Sequence, residues 1–328
     1  MQGLRSTTIL EGLRFPGAAP RHRIGRATEV RHLHPRMQLQ GAVASYGMVR
    51  VLGEGDQPAL EEFLAARADS SMFLLANSRK AGLRDLGLPF QATYAAAFEG
   101  GRMVAVAAHS WLGTVLVQAP VRLAEVVRAA VAASGRKTTG VLGPYDQARA
   151  AAEALGAREA AHEGRELLYA LDLPALRIPE ALASNRVRWR RPSEPELPLL
   201  TDWRADYVLE AQVEDPGPDL RARCAVAVEL LHADGADFVL EDAGRLVAYC
   251  CYNARTTEAV QIGGVWTPVP LRGRGYARAV VAGALQSAAS QGVRRSILFT
   301  PESNLPARRS YESLGFSIVG DYGLLRIA

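Results

Sequence analysis

The chain has 328 residues, of which 48% are hydrophobic, 22% charged and 7% aromatic, with a formal net charge of +4. At about 150 residues per domain this length suggests two domains, and the composition excludes general disorder, a fibrous repeat and a disulfide-stapled fold. No apolar run reaches the ~18–20 residues of a membrane span. Cys224 and the adjacent Cys250 and Cys251 offer neither a disulfide framework nor a paired-thiol metal knuckle, so the expectation is a cytoplasmic protein with no metal and no membrane partner.

Seven arginines and only two acids, Glu11 and Glu29, lie in residues 1–47, so everything from Met48 onward carries about one negative charge net. The basic character belongs to this leader. Lysine occurs only at Lys80 and Lys137, which points to an arginine-favouring coding sequence rather than a nucleic-acid surface, and no nucleic-acid partner is expected. The leader contains Gly17-Ala18-Ala19-Pro20 and has no apolar stretch for secretion. It reads as a flexible tail or a misassigned start, with Met48 as the functional beginning, so removing residues 1–47 is expected to leave solubility and activity intact.

From Val49 the elements follow in order. A short strand at Val49–Leu52 precedes a helix that opens at Asp56 and Pro58, with Glu61 and Glu62 near its positive end. Ala92–Phe98 and Met103–Ser110 read as strands joined through Gly100-Gly101. Next come a strand at Thr114–Gln118, a helix near Leu123–Ala133, a strand near Gly140 and a helix near Gln147–Leu155. A strand within Arg165–Leu173 closes the set. After the proline-marked linker 174–185, the script repeats: a strand at Val187–Arg190, helices near Pro198–Ala211 and Asp219–His232, and strands at Phe238–Glu241, Leu246–Asn253 and Ala259–Thr267. A helix at Tyr276–Ser290, a strand at Ser296–Thr300, a helix at Pro306–Leu314 and a strand near Leu324 complete it. Residues 98–106 (FEGGRMVAV) parallel 241–249 (EDAGRLVAY), and 148–156 (ARAAAEALG) parallel 307–315 (ARRSYESLG). A repeat of this length predicts two copies of one fold packed as a pseudo-dimer.

The copies differ where chemistry would reside. In the second, Leu271-Arg272-Gly273-Arg274-Gly275-Tyr276-Ala277 runs from a strand into an amphipathic helix. Small residues let successive N–H groups converge, the helix adds its positive end, and Arg272 and Arg274 offer charge, which together make a pyrophosphate cradle. The Gly-Lys-Ser/Thr ending of nucleotide hydrolases is missing. Downstream, Asn304, Ala307, Tyr311, Gly315 and Phe316 recur at helical spacing, with Gly315 placed to end the helix.

On these residues the stretch from about 186 to 328 resembles the GNAT superfamily of acyl-CoA-dependent N-acyltransferases. Arg272, Gly275 and Ala277 match its phosphate-loop pattern, and Asn304, Ala307, Tyr311, Gly315 and Phe316 match its second pattern. The lead-in Ile262–Pro268 is similar to the glycine N-acyltransferase-like subgroup. Residues 48–173 resemble the family only through the repeat. The fold expectation is therefore α/β with a mixed sheet, two GNAT-like domains in tandem, a degenerate one at 48–173 and a catalytic one at 186–328.

The resemblance implies acetyl-CoA as co-substrate and a role for each residue. Val265, Trp266 and Thr267 would lie on the strand that pairs with the pantetheine arm. Main-chain N–H groups of Leu271, Arg272, Gly273, Arg274, Gly275, Tyr276 and Ala277 would hold the pyrophosphate. Asn304 would hydrogen-bond near the pantetheine or the acceptor, and Tyr311 would protonate the departing thiolate. Cys250 and Cys251 read as buried strand residues. The base stays open between Glu258 at the strand entry and Glu210 on the first helix, and the acidic run through Glu214 and Asp215 suggests a cationic acceptor. The first copy has Gln118-Ala119-Pro120-Val121-Arg122-Leu123 with no glycine, Tyr145 in place of Asn304 and Ala152 in place of Tyr311. One acyl-CoA per chain follows. The expected function is N-acetyl transfer to a primary amine of a small molecule or peptide by a monomer or homodimer, with a catalytically silent acyl-CoA sensor as the alternative.

Overall fold

A computed structural model describes residues 47–157, 162–211 and 216–327. Apart from Gly47, the leader lies outside them, as do Glu214 and Asp215. The first stretch comprises β1 (Met48–Val51), α1 (Gln57–Ala65), α2 (Ala68–Ala81), β2 (Ala92–Glu99), β3 (Arg102–Ser110), β4 (Thr114–Gln118), α3 (Leu123–Ser134), β5 (Gly140–Pro144), α4 (Tyr145–Ala154) and β6 (His162–Asp172). After the one-turn α5 (Glu180–Ala183) come β7 (Val187–Arg190), α6 (Leu197–Glu210), α7 (Leu220–Ala233), β8 (Asp237–Asp242), β9 (Arg245–Arg255) and β10 (Ala259–Trp266). The chain closes with α8 (Tyr276–Ser290), β11 (Arg295–Pro301), α9 (Leu305–Leu314) and β12 (Ser317–Arg326). Helix α2 is an addition to the sequence reading, which placed a single helix between the first two strands.

The twelve strands among the described residues form one sheet in the order β1-β2-β3-β4-β5-β12-β6-β11-β10-β9-β8-β7. Neighbours are antiparallel except β4 with β5 and β10 with β11. The closing strands are exchanged: β6 lies against β11, and β12 lies against β5. They meet each other at the centre, Glu166 opposite Tyr322 and Leu168 opposite Gly320. A cut between the two stretches of sequence therefore does not divide the sheet.

Packing follows this exchange. Phe73 of α2 sits 6.2 Å from Phe299 of β11 and 6.4 Å from Tyr322 of β12, whose rings stack at 5.0 Å. These belong to one buried cluster that also holds Leu60, Leu64, Leu168 and Ile297. Arg295, at the start of β11, donates to Asp69 of α2 (2.6 Å) and Asp172 of β6 (2.6 Å). A second cluster fills the space between the outer strands of the second stretch and α6–α9, and a third lies under α3 and α4.

The repeat extends to an ion pair in each half. Arg50 donates to Asp56 (2.7 Å) and Arg190 to Glu196 (2.7 Å), both six residues apart, and each carboxylate also receives a backbone N–H three residues earlier. The arginine hydrogen bonds hold both carboxyls down at about 2. A carboxylate with a depressed pKa stabilises the fold above its unfolded value, about 4, and that contribution disappears as pH falls through about 2. Thermal unfolding followed by circular dichroism should therefore show a drop in Tm between about pH 4 and 2, shallower in the Asp56→Asn/Glu196→Gln double variant. An unchanged slope would exclude these pairs as its source.

Candidate active site

The site is built where two parallel strands part. β10 and β11 pair only from Ala259 with Arg295 to Gln261 with Ile297. Beyond that row they diverge, while β11 stays paired with β6 as far as Pro301. On its other edge β10 follows β9 to Gly263 opposite Cys251 and resumes with Trp266 opposite Tyr249, three steps against two. This is a bulge, and it turns main-chain groups near Gly264 and Val265 out of the ladder. Backbone groups that lack a strand partner need another one. The wedge walled by residues 262–266 and 298–301 thus suits an extended, amide-bearing chain.

At the mouth of the wedge the chain leaves β10 and makes one 3-10 turn at Val269–Leu271. The N–H groups of Leu271 and Arg272 donate within this turn, to Pro268 (2.8 Å) and Val269 (3.3 Å). That narrows the run of main-chain donors anticipated from Leu271 onward to Gly273 through Ala277. Gly273 and Gly275 have φ of 78° and 79°, a region that costs an L-residue about 1–2 kcal/mol. Gly275 is the cap residue of α8, without a side-chain cap, and the first intrahelical bond runs from Ala279 N–H to its carbonyl (3.1 Å). The N–H groups of Tyr276, Ala277 and Arg278 therefore have no intrahelical acceptor, and the first turn carries no acid. A Cβ placed on Gly273 would meet nothing within 4 Å. Two buried polar atoms at the base of the bend, Trp266 Nε1 and Thr267 Oγ1, lack a hydrogen-bond partner, a cost of about 1–3 kcal/mol each unless something arrives to meet them. The donor set fits a diphosphate.

The arginines act differently from the sequence reading. Arg272 donates from Nη1 and Nη2 to Glu210 Oε1 (2.9 Å) and Oε2 (2.8 Å), and from Nε to the Thr267 carbonyl (2.9 Å). Its guanidinium lies 4.7 Å from the centre of the Trp266 ring. The side chain pins the end of α6 to the bend instead of standing free for a phosphate. Both carboxylate oxygens of Glu210 are thereby engaged by Arg272. Tyr276 donates to Asp242, and that bond, with burial, raises its phenol pKa.

On the facing wall, Asn304 caps α9, its Oδ1 accepting from Ala307 N–H (3.2 Å). Tyr311, two turns into α9, is 3% exposed, with its ring edge-on to Tyr169 (6.4 Å) and Phe316 (6.1 Å). Tyr169 comes from the exchanged strand β6 and donates to Glu312 (2.8 Å) while accepting from Arg308 (3.3 Å). The sequence reading missed Tyr169 because its contact depends on the exchange. Cys250 and Cys251 are buried and outside any disulfide; burial raises the Cys250 thiol well above its ordinary value.

Glu258 stands at the paired end of β10, the end opposite the wedge. Burial raises its pKa, but the hydrogen bond from Arg79 (2.6 Å) and those from Thr256 and Thr257 outweigh this and leave it at about 2. Geometry and charge both remove it as a base candidate.

The first half closes the equivalent space on itself. β4 and β5 pair over the same three rows, Thr114 with Gly140 to Leu116 with Leu142, and one row on a Cβ on Gly143 would lie 2.5 Å from the Val117 carbonyl oxygen, so the strands are still close there. Gln118 accepts from Ser70 (2.9 Å) and Ser71 (3.1 Å), and Ala119 N–H donates to Gln147 (2.6 Å). α3 carries its own anion, Glu125, in the first turn, paired with Arg122. α4 begins at Tyr145 with Pro144 as its cap residue, so the counterpart of Asn304 is Pro144, one residue before the sequence alignment placed it. Counted from those caps, Ala151 stands opposite Tyr311; like Ala152, it has no proton to give.

Residues 197–316 match the model of the acetyltransferase (GNAT) family. Among solved structures, a Drosophila protein aligns at 12% identity and TM-score 0.58, covering 85% of this chain and 98% of its own. A GCN5-related N-acetyltransferase from Sphaerobacter thermophilus aligns at 20% identity and TM-score 0.51, covering 85% and 95%. One from Kribbella flavida aligns at 22% identity and TM-score 0.52, covering 80% and 95%. At these identities the likeness is one of fold. No curated protein matches the chain in sequence. Among the described residues no helix is long and apolar enough to cross a membrane, and no group of three or more His, Cys, Asp or Glu could hold a metal ion.

Proposed function

We propose, from the match of residues 197–316 to the model of the acetyltransferase (GNAT) family, that this chain moves an acetyl group from acetyl-CoA to a primary amine. The observation that carries the reading is the wedge between β10 and β11 with a glycine-capped helix start at its mouth. An acyl-CoA has the matching parts: a diphosphate for the N–H groups of Gly273–Ala277, and a pantetheine arm whose amides extend the strand at Val265–Thr267. Trp266 Nε1 and Thr267 Oγ1 supply two more buried donors. A peptide N–H at the bulge polarises the thioester carbonyl.

Transfer is direct. The amine lone pair forms the C–N bond at the thioester carbon, the N–H proton goes to a base, and the C–S bond breaks as Tyr311 gives its phenolic proton to sulfur. Tyr311 then regains a proton from solvent. Asn304 fixes the start of α9 and so the position of Tyr311. The first half is a degenerate copy, its cleft filled by Gln118, Gln147 and the close approach at Gly143.

Release of thiol from acetyl-CoA, screened with amino acids, polyamines, aminoglycosides and peptide N-termini, tests this together with calorimetric titration. Turnover with at least one amine class and one acetyl-CoA per chain are expected. Tight binding with no turnover across the panel would leave the silent sensor, and two equivalent sites would contradict a degenerate first half.

A further inference from the structure

We propose that Glu166, carried on the exchanged strand β6 of the first half, is the base that takes the acceptor amine's proton in the second half; this rests on the acyl-transfer reading above. The argument is one of register. Gln261 is level with Ile297 in the last row joining β10 to β11. Counted through the bulge, which spends three steps of β10 on two rows, Trp266 comes level with Pro301, the end of β11, and the neighbour of Pro301 across β11 is Glu166. The carboxylate thus belongs to the row that closes the bulge, next to the peptide groups that would polarise the thioester carbonyl.

Alternation along β6 settles the face. Leu168 and Ala170 pack with Phe299, Ile297 and Tyr322, and Glu166 shares their side. Tyr169 points the other way, to Tyr311 and α9. Base and acid therefore lie on opposite faces of the sheet, and the thioester would lie between them, so the amine approaches from one side as the thiolate leaves on the other. Glu166 is 4% exposed, a carboxylate held inside the fold.

The pseudo-symmetry supplies an internal comparison. The rows joining β4 to β5 match those joining β10 to β11, Gly140 standing for Arg295 and Pro144 for Phe299, so Tyr322, paired with Pro144, stands for Leu168, paired with Phe299. The central ladder pairs Glu166 with Tyr322 and Leu168 with Gly320, so the counterpart of Glu166 on β12 is Gly320. The half with the open wedge receives the carboxylate, and the half with the closed one receives Gly320, which has no side chain to take a proton. The exchange of strands thus makes the first half a contributor to the chemistry of the second.

The test is Glu166→Gln in the full chain, with Glu166→Asp beside it and Glu258→Gln as control. Expected for Glu166→Gln is a fall in kcat of about 100-fold or more, loss of the low-pH limb of kcat/KM, and acetyl-CoA affinity within about twofold of wild type. Glu166→Asp should recover part of the rate and the limb, and Glu258→Gln should keep both. If Glu166→Gln retains kcat and the limb, or loses acetyl-CoA affinity and Tm in step with activity, the assignment is overturned while acyl transfer stands. If the wild type itself binds acetyl-CoA but transfers to no amine, the reading of function fails and the base goes with it.

Discussion

Replacing Tyr311 by phenylalanine should lower kcat about 100- to 1,000-fold while leaving acetyl-CoA affinity within about threefold. The change removes one oxygen and keeps the ring that packs edge-on against Tyr169 and Phe316, so the helix that carries it should be retained. What is lost is a proton at the departing sulfur. A coenzyme A thiolate leaves more readily when a proton meets it, and general acid catalysis is worth about 100- to 10,000-fold. The effect should shrink as the acceptor amine becomes more nucleophilic and bond breaking matters less. A variant with unchanged turnover over the amine panel would remove Tyr311 as the acid, and equal losses in kcat and affinity would mark a packing role.

Gly275→Val should weaken acetyl-CoA binding about 100-fold or more, with a matching loss in kcat/KM. Gly275 holds φ at 79° while capping α8. A β-branched residue resists that conformation at a cost of about 1–2 kcal/mol and would rotate the peptide groups on either side of it. The N–H groups of Gly273 through Ala277 would then no longer converge, and charge-assisted hydrogen bonds of about 1.5–3 kcal/mol each would be lost. Gly275→Ala should give a smaller loss of the same kind. Glu125→Gln, at the start of the corresponding helix α3, should leave affinity unchanged, because that helix start neutralises its own side chain. Affinity is read by calorimetry on protein shown to be folded by circular dichroism. Wild-type affinity in folded Gly275→Val would place the diphosphate elsewhere.

What the sequence disclosed was local. The bend at 271–277 and the Asn304–Phe316 helix could be read because their glycines, cap and spacing act within a few residues. The strands and most helices could be read from turn residues and periodicity, and the textual repeat announced two similar halves. Helix α2 escaped because Ala68–Ala81 is rich in Ser, Asn and Asp, which favour helices weakly, and follows α1 almost without a break. The exchange of β6 and β12 escaped for a different reason. A strand such as Leu167–Leu171, apolar on both faces, announces burial but not which neighbours it will take. Everything that depends on the exchange was out of reach with it: Tyr169 behind Tyr311, and Glu166 level with the bulge. The Arg272–Glu210 clamp, joining residues 62 apart, likewise needed the fold. Charged residues were legible as charges and not as pairs, which is why Glu210 and Glu258 first looked available.

The account turns on the grip of Gly273–Ala277 on a diphosphate. A crystal structure of the full chain with coenzyme A bound tests it most directly. The diphosphate oxygens should lie within about 2.7–3.2 Å of those main-chain nitrogens, with the pantetheine arm between β10 and β11 and its sulfur beside Tyr311. Coenzyme A lodged between β4 and β5, or bound anywhere that leaves the start of α8 without a phosphate, would contradict it.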